Sequence, residues 1–411
     1  MKNTILKRFF VLLAIIALFP NLLGASVKSD FGNNISISSR GYSYPVRPNM
    51  QEWSVLYDHM DMIAACQIPD EYLRKMSTAE LVQSFLNYPL LIDMFVYSTY
   101  DMGYKAVSMV FNGLQELENR EDAGTELLKT YQSAMPVLKE DFINEGFIVT
   151  EDSIRYPGET EQTNEYTDSE LRLYDRMHYL NALEILLSQE IFLQKLSDNE
   201  INLLAEEANK KFEIKSEEND IYGYTLSMSS SISDSISSTS GIMPLGSLSY
   251  FHSGLGRTVF YNNGSVRTPN NTLVSTMVHT TTLTTAEINS LNSSLGSAYP
   301  NATRQANASL QYNCHSHAWI TSGHGTHWMN NPASYWTDGS YTTTASTKSR
   351  VVFFGSNGSV THSGKLVTPT SSPTSNTTIQ SKWGTGGLYN HSHTHNPYYI
   401  APLVEPWRHY G

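Results

Sequence analysis

The sequence predicts a mixed α+β chain: an all-α front half, a Ser-rich linker, and an α+β back half built on a central antiparallel sheet. Three observations carry this. Between residues 51 and 215 apolar residues recur at helical spacing, and the pairs Ser77/Glu80 and Ser197/Glu200 read as capping boxes. Nine serines and a single charged residue fall within 225–242, the composition of a flexible connector. From residue 250 onward, short β-branched and aromatic runs are separated by Gly, Pro and Asn. Charge divides at the same place: residues 1–249 hold 19 Lys+Arg and 36 Asp+Glu, residues 250–411 hold 8 and 3. The expected organisation is a signal peptide over 1–25, a helical domain over 51–215, a linker over 225–245 and a second domain over 250–411.

The chain opens with Lys2, Lys7 and Arg8, then an apolar run from Phe9 to Phe19, then Pro20 and the small residues Gly24, Ala25 and Ser26. Basic, apolar and small regions in that order predict a secretory signal peptide cut near Ala25 or Ser26. A secreted or cell-envelope protein is expected. The small residues are not followed by a cysteine, which argues against a lipid-anchored lipoprotein. No later stretch has the ~18 apolar residues of a spanning helix, so no transmembrane segment is expected in the mature chain.

Residues 27–50 read as irregular. Ser77 caps a helix through Leu81, Val82, Phe85 and Leu86, and Asn87-Tyr88-Pro89 ends it. Further helices are expected over roughly 102–119, 122–135, 169–195 and 198–212, with a break over 141–165 and an extended piece at Phe147-Ile148-Val149. The run from Ile68-Pro69-Asp70 to Asn112-Gly113-Leu114 resembles a helical module of exported bacterial proteins. Nothing in this half reads as catalytic, and packing or binding of an unknown partner is its expected role.

In the back half, Tyr250 to Leu283 reads as short strands with turns at Asn262-Asn263-Gly264 and Pro269-Asn270-Asn271. Thr285 to Leu295 reads as a helix capped by Thr285 and ended by Tyr299-Pro300. Then comes Tyr312-Asn313-Cys314-His315-Ser316-His317-Ala318-Trp319, a loop entering a helix with a cysteine at its start. Unpaired N–H groups there favour a thiolate, the nucleophilic form of cysteine. Arg350 to Phe354 is the next expected strand, Gly355-Ser356-Asn357-Gly358 a tight turn, and Val360 to Val367 a return strand carrying His362. Thr377 to Trp383 reads as a third strand.

A cysteine opening a helix, a hairpin bearing a histidine and a polar residue on the next strand suit thiol hydrolysis. The imidazole takes the thiol proton and returns it to the leaving amine, and the third group orients the ring. Tyr312-Asn313-Cys314 resembles the Tyr-Asp-Cys entry of NlpC-type cysteine peptidases, and Thr361-His362-Ser363 their histidine motif. With the related CHAP amidases these enzymes share a papain-like core and cut amide bonds, mostly in peptidoglycan. The resemblance covers about 299–400; Ser381-Lys382-Trp383-Gly384 and His391 to Pro397 are similar to a divergent exported subgroup. It implies a papain-like α+β fold, Cys314 as nucleophile, His362 as base, and Tyr312 near the substrate or oxyanion. Asn313 and Trp383 are also expected on that side, with Trp383 read as core or cleft wall or as stacking on a sugar. Asn313 stands where those enzymes have Asp, and His315-Ser316 where they have Ser-Gly. No motif fixes the third catalytic residue; Ser381 is expected, with Gln380 and Lys382 as rivals.

Other readings stay open. His391, His393 and His395 alternate, and residues alternating on a strand share a face, so they could hold zinc together with Cys314. The only two cysteines, Cys66 and Cys314, could form a disulfide. A non-catalytic binding protein could keep a degenerate cleft. The expected substrate is a peptide or a peptidoglycan-like polymer, with no cofactor. Nucleic acid is not expected, since no Lys/Arg cluster occurs.

Overall fold

The computed structural model describes residues 41–97, 99–150, 153–155, 168–222, 248–252, 255, 257–321, 325–355, 358–400 and 407–411. The expected signal peptide and Ser-rich linker lie outside the described residues, as does the centre of the turn at Ser356-Asn357.

The main front helices are α1 (Thr78–Leu86), α2 (Tyr100–Val110), α3 (Ala123–Ser133), α4 (Asp168–Leu187) and α5 (Asp198–Glu217), with a small hairpin of β1 (Ile148–Thr150) and β2 (Ser153–Arg155). The sequence dictates their starts. Ser77 accepts from the Glu80 amide while the Glu80 carboxylate accepts from the Ser77 amide, and Ser197 with Glu200 does the same for α5. The two expected long runs are interrupted: 102–119 breaks at Phe111, and 169–195 breaks near Ser188. No helix among the described residues is long and apolar enough to cross a membrane.

The back half is α+β. Strands β3 (Leu248–His252), β4 (Arg257–Arg267) and β5 (Leu273–His279) form one antiparallel sheet, followed by α6 (Thr285–Ala298). Then come β6 (Thr303–Ala306), α7 (Cys314–Trp319), β7 (Lys348–Phe354), β8 (Val360–Thr370), β9 (Ile379–Lys382), β10 (Leu388–His391) and β11 (Trp407–Tyr410). These strands make a six-stranded sheet in the order β11-β7-β8-β9-β10-β6, antiparallel throughout.

Two local expectations are corrected. Asn262-Asn263-Gly264 is not a turn but the middle of β4, and only Pro269-Asn270-Asn271 turns, with Asn271 at φ 69°. Gly264 is there for close approach, since a Cβ would lie 2.8 Å from both Thr276 Oγ1 and Val278 Cγ2 on β5. The cap of α6 is Thr284, not Thr285; its hydroxyl accepts from the Glu287 amide. Glu287 is committed further, because its carboxylate takes a bidentate pair from buried Arg257 at 2.6 and 2.8 Å.

Front and back share one core. Val82, Phe85, Leu127 and Leu183 from the helices lie in the same buried cluster as Leu291, Leu295 and Tyr299 around α6, and as Trp383, Tyr389 and Tyr398. Polar contacts run across the same seam. Trp53 Nε1 donates to the Ala298 carbonyl at 2.8 Å, and the Tyr299 hydroxyl donates to Asp93 Oδ1 at 2.6 Å. The helical half therefore packs on the part of the fold that carries the sheet.

Candidate active site

The sheet register brings three of the singled-out side chains to one face. Phe353 on β7 pairs with His362 on β8, Leu366 on β8 with Ile379 on β9, and Ile379 with His391 on β10. Counting in steps of two along antiparallel strands, His362, Ser381 and His391 share a face. Gly364 leaves the gap between the first two: a Cβ there would meet Ile379 Cγ2 at 2.4 Å and Ser381 Cβ at 3.3 Å. His362 Nε2 lies 2.9 Å from Ser381 Oγ, and Ser381 Oγ lies 2.6 Å from His391 Nε2. The expected His362–Ser381 contact is thus present, whereas Gln380 bonds to Asn390 and Lys382 points elsewhere.

Helix α7 crosses this face with Cys314 in its first turn. Asn313 caps it and has no atom to spare. Its Oδ1 accepts from the amides of Ser316 and Met329, and its Nδ2 donates to the Met329 carbonyl at 2.7 Å. That last bond requires an amide, so Asp would set a carboxylate oxygen against a carbonyl. Asn313→Asp is expected to cost about 2 kcal/mol in chemical denaturation, as for a buried acceptor left without its donor. A change under roughly 0.5 kcal/mol would show that the Met329 bond is dispensable.

The thiol of Cys314 accepts from the backbone amides of Ser363 and His315, so it sits beside the residue that follows the histidine. His362 Nδ1 makes no hydrogen bond. Cys314 is 4 % exposed, and His362 and Ser381 are 0 % exposed. Burial dominates the electrostatics. It pushes the Cys314 thiol up to about 12, against the opposing pull of the amides and of Lys382. The helix start was expected to favour the thiolate, but a single short turn of α7 does not offset full desolvation. Burial also holds His362 well below its ordinary value and His315 down to about 3. Lys382 is brought down to about 7 by burial, with the nearby Cys314 pulling it back up. Its ammonium donates to the carbonyls of Ser309, Gly384 and Gly386 and lies 5.4 Å from the Tyr312 ring centroid.

Tyr312 is half-buried beside this lysine. Trp383, expected to face substrate, is wholly buried behind Ser381, donates to its Oγ at 3.2 Å and stacks on Tyr389. The covering group is one that sequence reasoning missed. The Tyr398 ring lies flat on His362, centroids 3.8 Å apart and planes 9° apart. Its segment is held by the helical half: the Tyr398 hydroxyl donates to the Val96 carbonyl at 2.7 Å, and the Tyr97 hydroxyl donates to the Pro397 carbonyl at 3.2 Å. The His59 amide adds a bond to the Thr394 carbonyl at 2.8 Å.

The histidines expected to alternate on one strand do not. The strand ends at His391; His393 pairs with His409 at 2.6 Å, and His395 lies against Tyr299. Among the described residues no group of three His, Cys, Asp or Glu is placed to hold a metal ion. Cys66 and Cys314 are both free thiols, so the alternative disulfide is not formed. No family model, curated protein or solved structure matches this chain.

Proposed function

We propose that this chain is an exported cysteine hydrolase with a papain-like core, cutting an amide bond in bacterial cell-wall peptides. The observation that carries the reading is the contact of His362 Nε2 with Ser381 Oγ, while Nδ1 stays unbonded next to the residue whose amide reaches the Cys314 thiol. In this scheme Cys314 Sγ attacks the amide carbon as its proton passes to His362 Nδ1. That proton then leaves with the amine, giving a thioester. Water hydrolyses the thioester after giving a proton to His362, which returns it to the departing sulfur. The amides at the start of α7 are the candidate oxyanion donors.

Full burial of the thiol favours a second reading, a binding protein with a closed, degenerate cleft. One digest separates them. Purified peptidoglycan fragments are incubated with the intact chain, with Tyr398→Ala to loosen the cover, and with Cys314→Ser in each background. Mass spectrometry should find a cleaved amide with Tyr398→Ala and none once Cys314 is replaced. Fragments left whole by every form would remove the hydrolase reading.

A further inference from the structure

We infer that His391 is a positioning residue that fixes, through Ser381, which nitrogen of His362 is the base. The inference deepens the hydrolase reading and takes the role of His362 from it.

Hydrogen-bond polarity sets the protons along this chain of contacts. His391 Nδ1 lies 2.7 Å from the Ser392 carbonyl, which only accepts, so Nδ1 carries a proton. Burial holds His391 neutral, down to about 4, so its Nε2 carries a lone pair. Nε2 lies 2.6 Å from Ser381 Oγ and must therefore receive the hydroxyl proton. A hydroxyl has one proton and two lone pairs. With its proton given to His391, Ser381 Oγ can only accept, once from Trp383 Nε1 at 3.2 Å and once from His362 at 2.9 Å. His362 Nε2 is then N–H, and in a neutral ring the lone pair falls on Nδ1, the atom with no hydrogen bond. The opposite polarity would set a lone pair of His391 Nδ1 against the Ser392 carbonyl. A serine alone could point its proton either way. The second histidine removes that freedom.

The test reads the proton directly. In the full chain with isotopically labelled histidine, long-range nitrogen–proton NMR distinguishes a protonated ring nitrogen from a bare one. Wild-type His362 should show its proton on Nε2. His391→Phe removes the acceptor, frees the Ser381 hydroxyl to donate to His362, and should move the His362 proton toward Nδ1. His391→Gln, whose amide oxygen can accept from Ser381, should restore the wild-type signature. A residue that merely filled space would not separate Phe from Gln in this way. A wild-type His362 protonated on Nδ1, or a His391→Phe spectrum unchanged from wild type, overturns the inference, and the first needs no variant to fold. The readout does not depend on turnover, so a chain that cleaves nothing yet shows these tautomers would lose the hydrolase reading alone.

Discussion

Tyr398→Ala is expected to raise the rate at which Cys314 is alkylated near neutral pH by about a hundredfold. The change deletes a ring stacked on His362 and a buried hydroxyl bonded to the Val96 carbonyl. An aromatic stack contributes about 1 kcal/mol, and leaving the Val96 carbonyl without its donor costs about 1–3 kcal/mol. Together they weaken the closed state by about 3 kcal/mol, which multiplies the open population by about 100. Opening also admits water to the thiol, and desolvation is the main reason it is pushed up to about 12. Both effects act in the same direction. Cys66 is the internal control, since it is wholly buried among the helices of the front half. Labelling of Cys314 with Cys66 silent means local opening; labelling of both means that the substitution has unfolded the chain. An intact protein that already labels at the Tyr398→Ala rate would show that the ring is no cover.

Much of this site was legible in the sequence because the signals were local. Asn313 before a short helix, a hairpin around His362 and a polar strand at Ser381 each depend on neighbours a few residues away. The capping boxes at Ser77 and Ser197 are local in the same sense. What was not legible depends on long-range contact. Tyr398 reaches Val96 across about three hundred residues, and no periodicity links them. In sequence His391 is one of three alternating histidines; its bond to Ser381 follows from β9 pairing with β10, which a single sequence does not specify. The thiol was expected to be acidic because a helix start is visible in sequence, whereas its burial is not. Gly264 reads as a turn residue for a related reason: a glycine required by a neighbouring strand looks the same in sequence as one required by a turn.

The second large effect is a loss of stability in mild acid. His178, His315 and His391 are buried, and burial brings them from near 6.5 down to about 4, about 3 and about 4. For such a group the unfolded chain binds a proton at a higher pH than the folded chain. The stability it contributes is therefore present above its ordinary value and is lost as pH falls toward the folded value. Between the ordinary and the folded values these three groups together make stability fall by about 4 kcal/mol for each pH unit. The contribution of these three rings to the loss between about pH 7.5 and about pH 5 is about 6 kcal/mol, comparable to the whole stability of many domains, roughly 5–15 kcal/mol. Urea unfolding at a series of pH values measures it directly, and a curve flat to about 1 kcal/mol over that range would contradict the burial of these rings. His178 separates the fold from the site, because it bonds to Ser290 and Ser294 on α6 and stacks on Phe95. His178→Gln should remove about 1.4 kcal/mol per pH unit from the slope while leaving the His362–Ser381–His391 chain intact. Since His391 takes a proton in the folded state only near 4, unfolding comes first. The acid change in Cys314 labelling should accordingly follow the cooperative unfolding curve and not the titration of a single imidazole.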